Sequence, residues 1–444
     1  MYLHRAFASV TGRIGCKGLN PVVAIALLLF PASAAAQSHN SSSRQHTIVV
    51  EVASERIRLY PTLATAAGQA VNRATDHGLD RLFGEPTGRG KGAVAKRFAR
   101  LYFANLPIAA LSHFVAHELG HVARLQELEA TITGFRVIRW PWPVPFMEGE
   151  VRASEFPQGS RYFDLSAITG GSDAAIVQEH ILTDQIYSKN ETDYFDWVLL
   201  LYAKLDMPLY TWASKFAAAD FARTGDPRRY AEVFGLLRTD ARFRPAEPGP
   251  FLLDPTQEIA AVTRTIERRM WLNIADYALV SGFIRSIGYI RTGERNTMNP
   301  ALRIGGVSFV PAARFSMTPV GLETAFNVRI PGAQRLFGLE VRATETVTGE
   351  RLWGAGFEMR SRRSEKWAPL IRADLFQRRG DPITLWAGPR STGARLEVGA
   401  SGPLRIGGHL FDVGVRAGYK TPGYLFDAPE RRTILGGVSI GVRF

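Results

Sequence analysis

Beyond residue 300 the chain alternates apolar and polar residues with a period of two. Phe326, Val328 and Ile330 fall on one side of such a run, whereas Asn327 and Arg329 fall on the other. Similar runs continue to the C-terminus and are separated by glycine- and proline-containing turns. Alternation of this kind is typical of β-strands whose two faces meet different surroundings. We therefore predict seven or eight antiparallel strands in the last third of the chain.

The two faces of these predicted strands differ in composition. One face is apolar or aromatic, and the other carries charges of both signs on strand after strand. This pattern favours a closed barrel, with its apolar face in lipid and a packed polar interior, over a soluble β-domain. The last strand, with Ile440, Val442 and Phe444, resembles the C-terminal strand of bacterial outer-membrane barrels. We predict an eight-stranded antiparallel transmembrane β-barrel over residues 297–444.

Between residues 37 and 296 the apolar residues recur at helical spacing instead. After a strand at Thr47–Val52 we predict four helices, at Arg97–Leu125, Asp173–Tyr187, Asp193–Phe221 and Gln257–Ile290. The predicted fold class is therefore α+β, with a mostly helical domain over residues 37–296 that is followed by the barrel.

The N-terminal segment has the pattern of a secretory signal peptide. Three basic residues precede an apolar run at 21–30, which small residues follow. This pattern predicts that residues 1–36 are removed on export. The segment includes Cys16, the single cysteine of the sequence, so a metal site in the remaining chain would use histidines and carboxylates.

The formal net charge of +13 would suit a nucleic-acid partner, but its distribution argues against one. Residues 297–444 contain 21 Lys and Arg against 12 Asp and Glu, whereas residues 37–296 contain 30 against 29. The basic excess therefore belongs to the predicted barrel, and we expect no nucleic acid.

One motif carries recognisable chemistry, and it is His117-Glu118-Leu119-Gly120-His121. Residues four apart share one face of a helix, so both imidazoles can reach one metal ion. Neutral imidazoles suit Zn²⁺, which activates water for attack on a carbonyl group. Glu118 would take the proton from that water.

This HExxH pattern resembles the active-site helix of the zincin metallopeptidases. The resemblance implies a zincin-like domain in which His117 and His121 bind zinc and Glu118 is the catalytic base. Zincins take a third ligand from further along the chain. The extension that marks the metzincins is absent after residue 127, so the third ligand has to be inferred separately.

Glu179 is the first candidate for the third metal ligand. A glycine turn at 170–171 and an N-cap residue predict the start of a helix, and Glu179 falls on the apolar face of that helix. A buried acid needs a partner such as a metal ion, and glutamate-type zincins take their third ligand from a later helix. The alternatives are a surface ion pair, His180 oriented by Asp184, and Asp206.

Asp206 also carries a second resemblance. The segment Leu205-Asp206-Met207-Pro208 is similar to the ligand segment of the intramembrane site-2 proteases, which combine HExxH with a Leu-Asp-Gly sequence. The glycine of that family is replaced by Met207 here. This resemblance implies an intramembrane metalloprotease with Asp206 as a metal ligand.

Together these features predict a zinc-dependent peptidase anchored in the bacterial outer membrane. Its expected partners are protein or peptide substrates of the cell envelope and the lipid of that membrane, and its catalytic domain is expected to face the periplasm. The rival from another class is a non-enzymatic outer-membrane protein whose metal only stabilises the fold. A structural zinc site has four protein ligands, whereas a catalytic one has three and an open position.

Overall fold

The computed structural model describes residues 47–86, 88–139, 147–154, 161–188, 191–216, 225–240, 254–298, 301–362, 367–379, 389–406 and 409–443. The predicted signal peptide and the terminal Phe444 lie outside these residues.

The helical half of the molecule precedes most of the strands. Its described helices are α1 (Arg56–Phe83), α2 (Lys91–Arg100), α3 (Leu106–Glu127), α4 (Arg161–Tyr187), α5 (Tyr194–Phe216), α6 (Asp226–Thr239), α7 (Pro255–Arg269) and α8 (Tyr277–Thr292). A π-helical turn at Leu101–Asn105 joins α2 to α3, and a 3-10 turn at Met270–Ile274 follows α7. No helix in the described part of the chain combines the length and the apolar character that crossing a membrane requires.

The strands form one large antiparallel sheet and two small ones. The described strands are β1 (Thr47–Ala53), β2 (Thr131–Arg139), β3 (Met147–Ser154), β4 (Glu191–Asp193), β5 (Asn296–Met298), β6 (Leu302–Ile304), β7 (Val307–Thr318), β8 (Gly321–Pro331), β9 (Arg335–Thr346), β10 (Arg351–Ser361), β11 (Ala368–Arg379), β12 (Arg390–Ile406), β13 (His409–Lys420) and β14 (Thr433–Arg443). The large sheet has the order β1-β14-β13-β12-β11-β10-β9-β8-β7-β6, while β2 pairs with β3 and β4 pairs with β5.

The predicted α+β class and the antiparallel C-terminal sheet are confirmed, but the predicted strand count is wrong. From residue 302 onwards the large sheet has nine described strands, because the three-residue β6 precedes the eight longer strands β7 to β14. The N-terminal β1 adds a tenth strand by pairing with β14 over its whole length. The strand order is linear, and no described residues of β1 and β6 pair to close it.

The predicted difference between the two faces of the sheet is confirmed by the burial of its side chains. The apolar face is exposed, as Phe326 (59%) and Leu375 (61%) illustrate, whereas Arg395 and Glu397 of the charged face are almost wholly buried. The buried charges are paired: Arg395 bonds Asp374 with its Nε 2.7 Å from Oδ2. The polar face is therefore an interior, and the helices cover it.

Helix α4 lies against this polar interior. Arg329 of β8 donates from Nε to Asp184 at 2.8 Å, and Arg314 of β7 lies with Nη1 3.0 Å from Nε2 of His180. No residue from 164 to 188 is exposed. A helix that is buried on all sides has no single apolar face, which explains its mixed sequence.

The predicted start of a helix near residue 170 is wrong, because α4 begins at Arg161 and runs through Gly170 and Gly171. These glycines serve close packing instead of a turn. A Cβ atom on Gly170 would lie 2.6 Å from the carbonyl oxygen of Gly120 in α3. Helices α3 and α4 therefore cross with their backbones in contact, which no larger residue would allow.

Two other helix predictions need correction. The sequence patterns did not predict α1, and the single helix predicted over Gln257–Ile290 is divided into α7, the 3-10 turn and α8. The division has a local cause, because the Asp276 carboxylate accepts hydrogen bonds from the backbone of Ala278 and Leu279 and so caps a new helix.

Candidate metal centre

The HExxH motif lies on α3, as predicted, and its two histidines face the same side. The rings of His117 and His121 lie one turn apart with their centroids separated by 5.1 Å. Both side chains are largely buried, and so is Glu118 with 6% of its surface exposed. The motif therefore lies inside the helical half, on the side of α3 that faces α4 and α5.

A third ligand candidate comes from the first residue of α6. Oδ2 of Asp226 lies 3.1 Å from Nε2 of His121 and 3.4 Å from Nε2 of His117. In a tetrahedral zinc site with bonds of about 2.0–2.1 Å, two ligand atoms are about 3.3 Å apart. His117, His121 and Asp226 thus form a group that could hold a metal ion.

The hydrogen bond made by the other nitrogen fixes the tautomer of His121. Its Nδ1 lies 2.7 Å from the carbonyl oxygen of Ala167. A carbonyl oxygen only accepts, so Nδ1 carries a proton. This leaves Nε2, which points to the side where Asp226 lies, as the nitrogen that a metal ion would bind.

A second group that could hold a metal ion shares His117 and consists of His113, His117 and Asp206. Oδ1 of Asp206 lies 2.9 Å from Nε2 of His113 and 3.2 Å from Nδ1 of His117. Nδ1 of His113 lies 2.7 Å from Oε1 of Gln178 on α4. Asp206 therefore faces the side of the His117 ring opposite to Asp226, where a carboxylate would orient a ligand histidine.

Glycines bring the backbone of α4 up to the histidines. A Cβ atom on Gly171 would lie 2.2 Å from Nε2 of His117, which is closer than nonbonded atoms approach. A Cβ atom on Gly120 would lie 2.2 Å from the carbonyl oxygen of Gly170. The position of the His117 ring therefore depends on the absence of a side chain at Gly171.

Two further groups lie beside the histidines. Burial raises the pKa of Glu118; the neighbouring His121 and His117 oppose this shift, and Asp226 and Asp206 add to it. The Tyr210 ring of α5 lies 5.8 Å from the His117 ring, and its hydroxyl oxygen accepts a hydrogen bond from the backbone N–H of Asp226 at 3.3 Å. The group thus contains a carboxyl and a phenol in addition to its ligand candidates.

The acids and histidines of the group shift one another's pKa. Burial would lower the pKa of His117 and His121, but Asp206 and Asp226 raise it above its usual value. Burial would raise the pKa of Asp226, but His121 and His117 lower it well below its usual range, so this carboxylate is ionised. Within the described residues, no Lys or Arg pairs with Asp206 or Asp226, so the positive partner that a buried carboxylate needs is either a protonated histidine or a bound metal ion.

Glu179, the first candidate from the sequence, lies in neither group. It is buried, as predicted from its place on α4, but Nζ of Lys204 donates to its Oε1 at 2.6 Å. Lys204 also bonds the carboxylate of Asp276. The alternative pair of His180 and Asp184 contacts arginines of the sheet instead.

Sequence reasoning found three members of the site and missed Asp226 and Tyr210. Asp226 stands about a hundred residues after the motif and at the start of a helix, in the sequence Gly225-Asp226-Pro227. That sequence also fits an ordinary helix start, so it carried no signal of a ligand. Asp206 was an alternative third ligand in the sequence analysis, and it lies on the Nδ1 side of the His117 ring.

No known family model matches the chain, and no curated protein or solved structure matches it either.

Proposed function

We propose that this protein is a zinc-dependent peptidase of the bacterial outer membrane. The observation that supports the catalytic part best is the spacing of 3.1–3.4 Å between Oδ2 of Asp226 and Nε2 of His117 and His121, with Glu118 buried beside them. Such spacing fits one ion with three protein ligands. Three ligands leave a position open, as catalysis requires.

His117, His121 and Asp226 would hold the zinc, and Asp206 would orient His117 from the far side of its ring. The ion, when bound, supplies a Lewis acid that activates water and polarises a carbonyl group. Glu118 would hold the proton that the water releases and pass it to the leaving amine. Tyr210, as a neutral phenol, would donate a hydrogen bond to the negative oxygen that develops at the attacked carbonyl.

The membrane part of the proposal is supported by the outward face of the sheet. Its residues are apolar along each strand, and charges of that face occur at strand ends, at Arg335, Glu345, Arg351, Arg379 and Arg390. Soluble monomers expose only small contiguous apolar patches, whereas a lipid-facing sheet needs such a continuous surface. The orientation towards the periplasm stays a prediction.

The test is to purify the full chain in detergent and to measure its metal content and its hydrolysis of an unfolded substrate such as casein. We expect about one zinc ion per chain, and loss of hydrolysis on chelation that added zinc reverses. Glu118→Gln is expected to keep the zinc and to lower the rate by about 10²–10⁴-fold, because it removes the base but no ligand.

Glu232→Gln is the matched control, because Glu232 is half-exposed on α6 and pairs only loosely with Arg228. It should alter neither zinc content nor hydrolysis. A wild-type chain that binds zinc and gains stability from it, but cleaves nothing, would support the rival structural role of the metal. A chain without zinc, or an unchanged rate in Glu118→Gln, would refute the peptidase proposal.

A further inference from the structure

The large sheet ends on one side with the three-residue β6, and residues before α8 bind the part of β7 that β6 does not reach. Asn273, which precedes α8, donates from Nδ2 to the carbonyl of Phe315 at 3.1 Å and accepts from its N–H at 2.6 Å. The backbone N–H of Ala313 donates to the carbonyl of Ala275. Unpaired edge groups would be costly in an apolar medium. This edge is therefore satisfied by the chain that leads into α8.

The helices continue from that edge to the other one. Helix α8 packs on α5, α5 on α3, α3 on α1, and α1 on β1 at the far edge of the sheet. Helix α4 packs against α1, α3, α5 and β7 and exposes none of its residues from 164 to 188. The sheet and four helices thus surround α4, and the helices occupy the gap that the sheet leaves open.

The outward surface of these helices is apolar like that of the sheet. On α8, Phe283 is 61% and Ile284 58% exposed, compared with 61% for Leu375 on the sheet. The other exposed apolar residues of these elements are Val71, Leu82 and Phe83 of α1, Phe103 before α3, Leu111 of α3, Trp212 of α5, and Val280 and Ile287 of α8. Arg58 and Lys204 of the same helices are buried, whereas the exposed Arg56, Arg81 and Arg291 lie at helix ends.

Contacts between the helices and the sheet place these apolar surfaces at one level. Ala275 bonds the middle of β7, so α8 begins beside the centre of the sheet. Lys204 of α5 contacts Asp276 at the start of α8, and Asp206 of α5 contacts His113 of α3. The outward residues near these contacts are therefore level with the centre of the apolar sheet face, and they are Leu111 and Val280.

We propose that lipid acyl chains cover the outward faces of α1, α3, α5 and α8 as well as the sheet, so that these helices complete the wall that the strands leave open. The inference rests on the membrane placement proposed above. A protein partner would cover one side, whereas this apolar surface surrounds the molecule at one level. Only a bilayer meets a molecule in that way.

This arrangement has a consequence for the metal centre. Asp206 and Met207 line the same small cavity as Phe315 and Ser316, near the end of β7. The catalytic helix α3 would form part of the wall, with its metal site on the inner side of that helix.

Spin labels test the inference in phospholipid vesicles that contain the full chain. In a Cys16→Ser background, single labels are placed at Ile284→Cys on α8, at Leu375→Cys on the sheet, and at Gln257→Cys on α7, where the residue is exposed. Power saturation compares collisions with oxygen, which enters lipid, and with a water-soluble nickel complex. We expect oxygen to prevail at 284 and 375, and the nickel complex to prevail at 257.

The outcomes separate this inference from the membrane placement itself. If 375 is exposed to lipid and 284 to water, the helices face water and the inference fails, while the sheet remains in the membrane. If both labels meet water, the proposed membrane placement fails as well. Hydrolysis and zinc binding by the labelled chains report whether each variant has folded.

Discussion

Two buried charged regions of this molecule differ in how their acids are neutralised. Inside the sheet each carboxylate faces arginines, as Arg314 faces Glu323 at 3.1 Å and Arg372 faces Asp427 at 2.6 Å. In the metal centre Asp206 and Asp226 face only histidines. Arginines keep their charge and hold the sheet acids permanently, whereas histidines can release their protons and leave the same acids to a metal ion.

The largest expected effect follows from removing the acid that we assign as a ligand. Asp226→Asn should abolish stoichiometric zinc binding. It should also lower the rate of hydrolysis by more than 10- to 100-fold, which is the loss expected when a residue that only orients a ligand is removed. Asp206→Asn should give that smaller loss of affinity, because the ligand atoms remain. Titration with zinc against a chelating indicator measures both affinities.

Equal losses in the two variants would contradict the different roles given to the two acids. If Asp206→Asn alone removed the zinc, the ion would belong to the group of His113, His117 and Asp206.

The sheet was the more predictable of the two regions. Its alternation along the chain is local, and each side chain lies on the face that the period of two assigns to it. What the alternation did not reveal is β1, which reaches the sheet from the other end of the sequence and pairs with β14. Pairing between distant segments depends on register and topology, which a local pattern does not contain.

Only the part of the metal centre that lies on a single helix was predictable. His117, Glu118 and His121 are neighbours along α3, so their spacing alone brings them together. Glu179 shows the limit of the same reasoning. Its burial followed from the face of α4, but a buried acid can be matched by a lysine as well as by a metal, and Lys204 comes from another helix.

The second prediction tests the buried charge pairs inside the sheet. Arg395 is 2% exposed and bonds both Asp374 and Asp427, with Nη1 2.8 Å from Oδ1 of Asp427. Arg395→Ala leaves these acids short of a cation and should lower the free energy of unfolding by about 3–5 kcal/mol, without changing zinc affinity. Denaturant unfolding in detergent measures the change.

The matched control is Arg228→Ala, which breaks the exposed pair of Arg228 and Glu232 and should cost less than about 1 kcal/mol. A loss of zinc affinity in Arg395→Ala would show that the two regions are coupled, and would contradict the separation drawn here.

A smaller effect concerns the glycine that the His117 ring touches. Gly171→Ala adds a methyl group 2.2 Å from Nε2 of His117, so the ring must move. We expect zinc affinity to fall by about 10- to 100-fold, as when an orienting partner is lost. Gly78→Ala is the control, because nothing lies within 4 Å of the added group and α1 should be slightly stabilised. An unchanged zinc affinity in Gly171→Ala would mean that the His117 ring can bind the ion from a second position.

A pH-dependent effect concerns a third arrangement, in which carboxylates outnumber their cation and no histidine is involved. Burial raises the pKa of Glu430, in the loop after β13, to about 8; Arg124 opposes the shift and Glu127 adds to it. The folded chain therefore holds a proton here that the unfolded chain releases near its ordinary pKa of about 4.5. Between these two values stability falls as pH rises, by up to about 1.4 kcal/mol for each pH unit.

Glu430→Gln cannot release that proton, so its free energy of unfolding should fall less than that of the wild type between pH 5 and 8, as unfolding curves at several pH values would measure. Its amide can keep a hydrogen bond near Ser166, whose hydroxyl donates to Glu430 at 3.0 Å. Parallel curves for the two chains would show that the carboxyl is ionised throughout and that Arg124 neutralises it. In that case the cluster would belong with the paired charges of the sheet, and the metal centre would be the one of the three arrangements whose acids are matched by histidines.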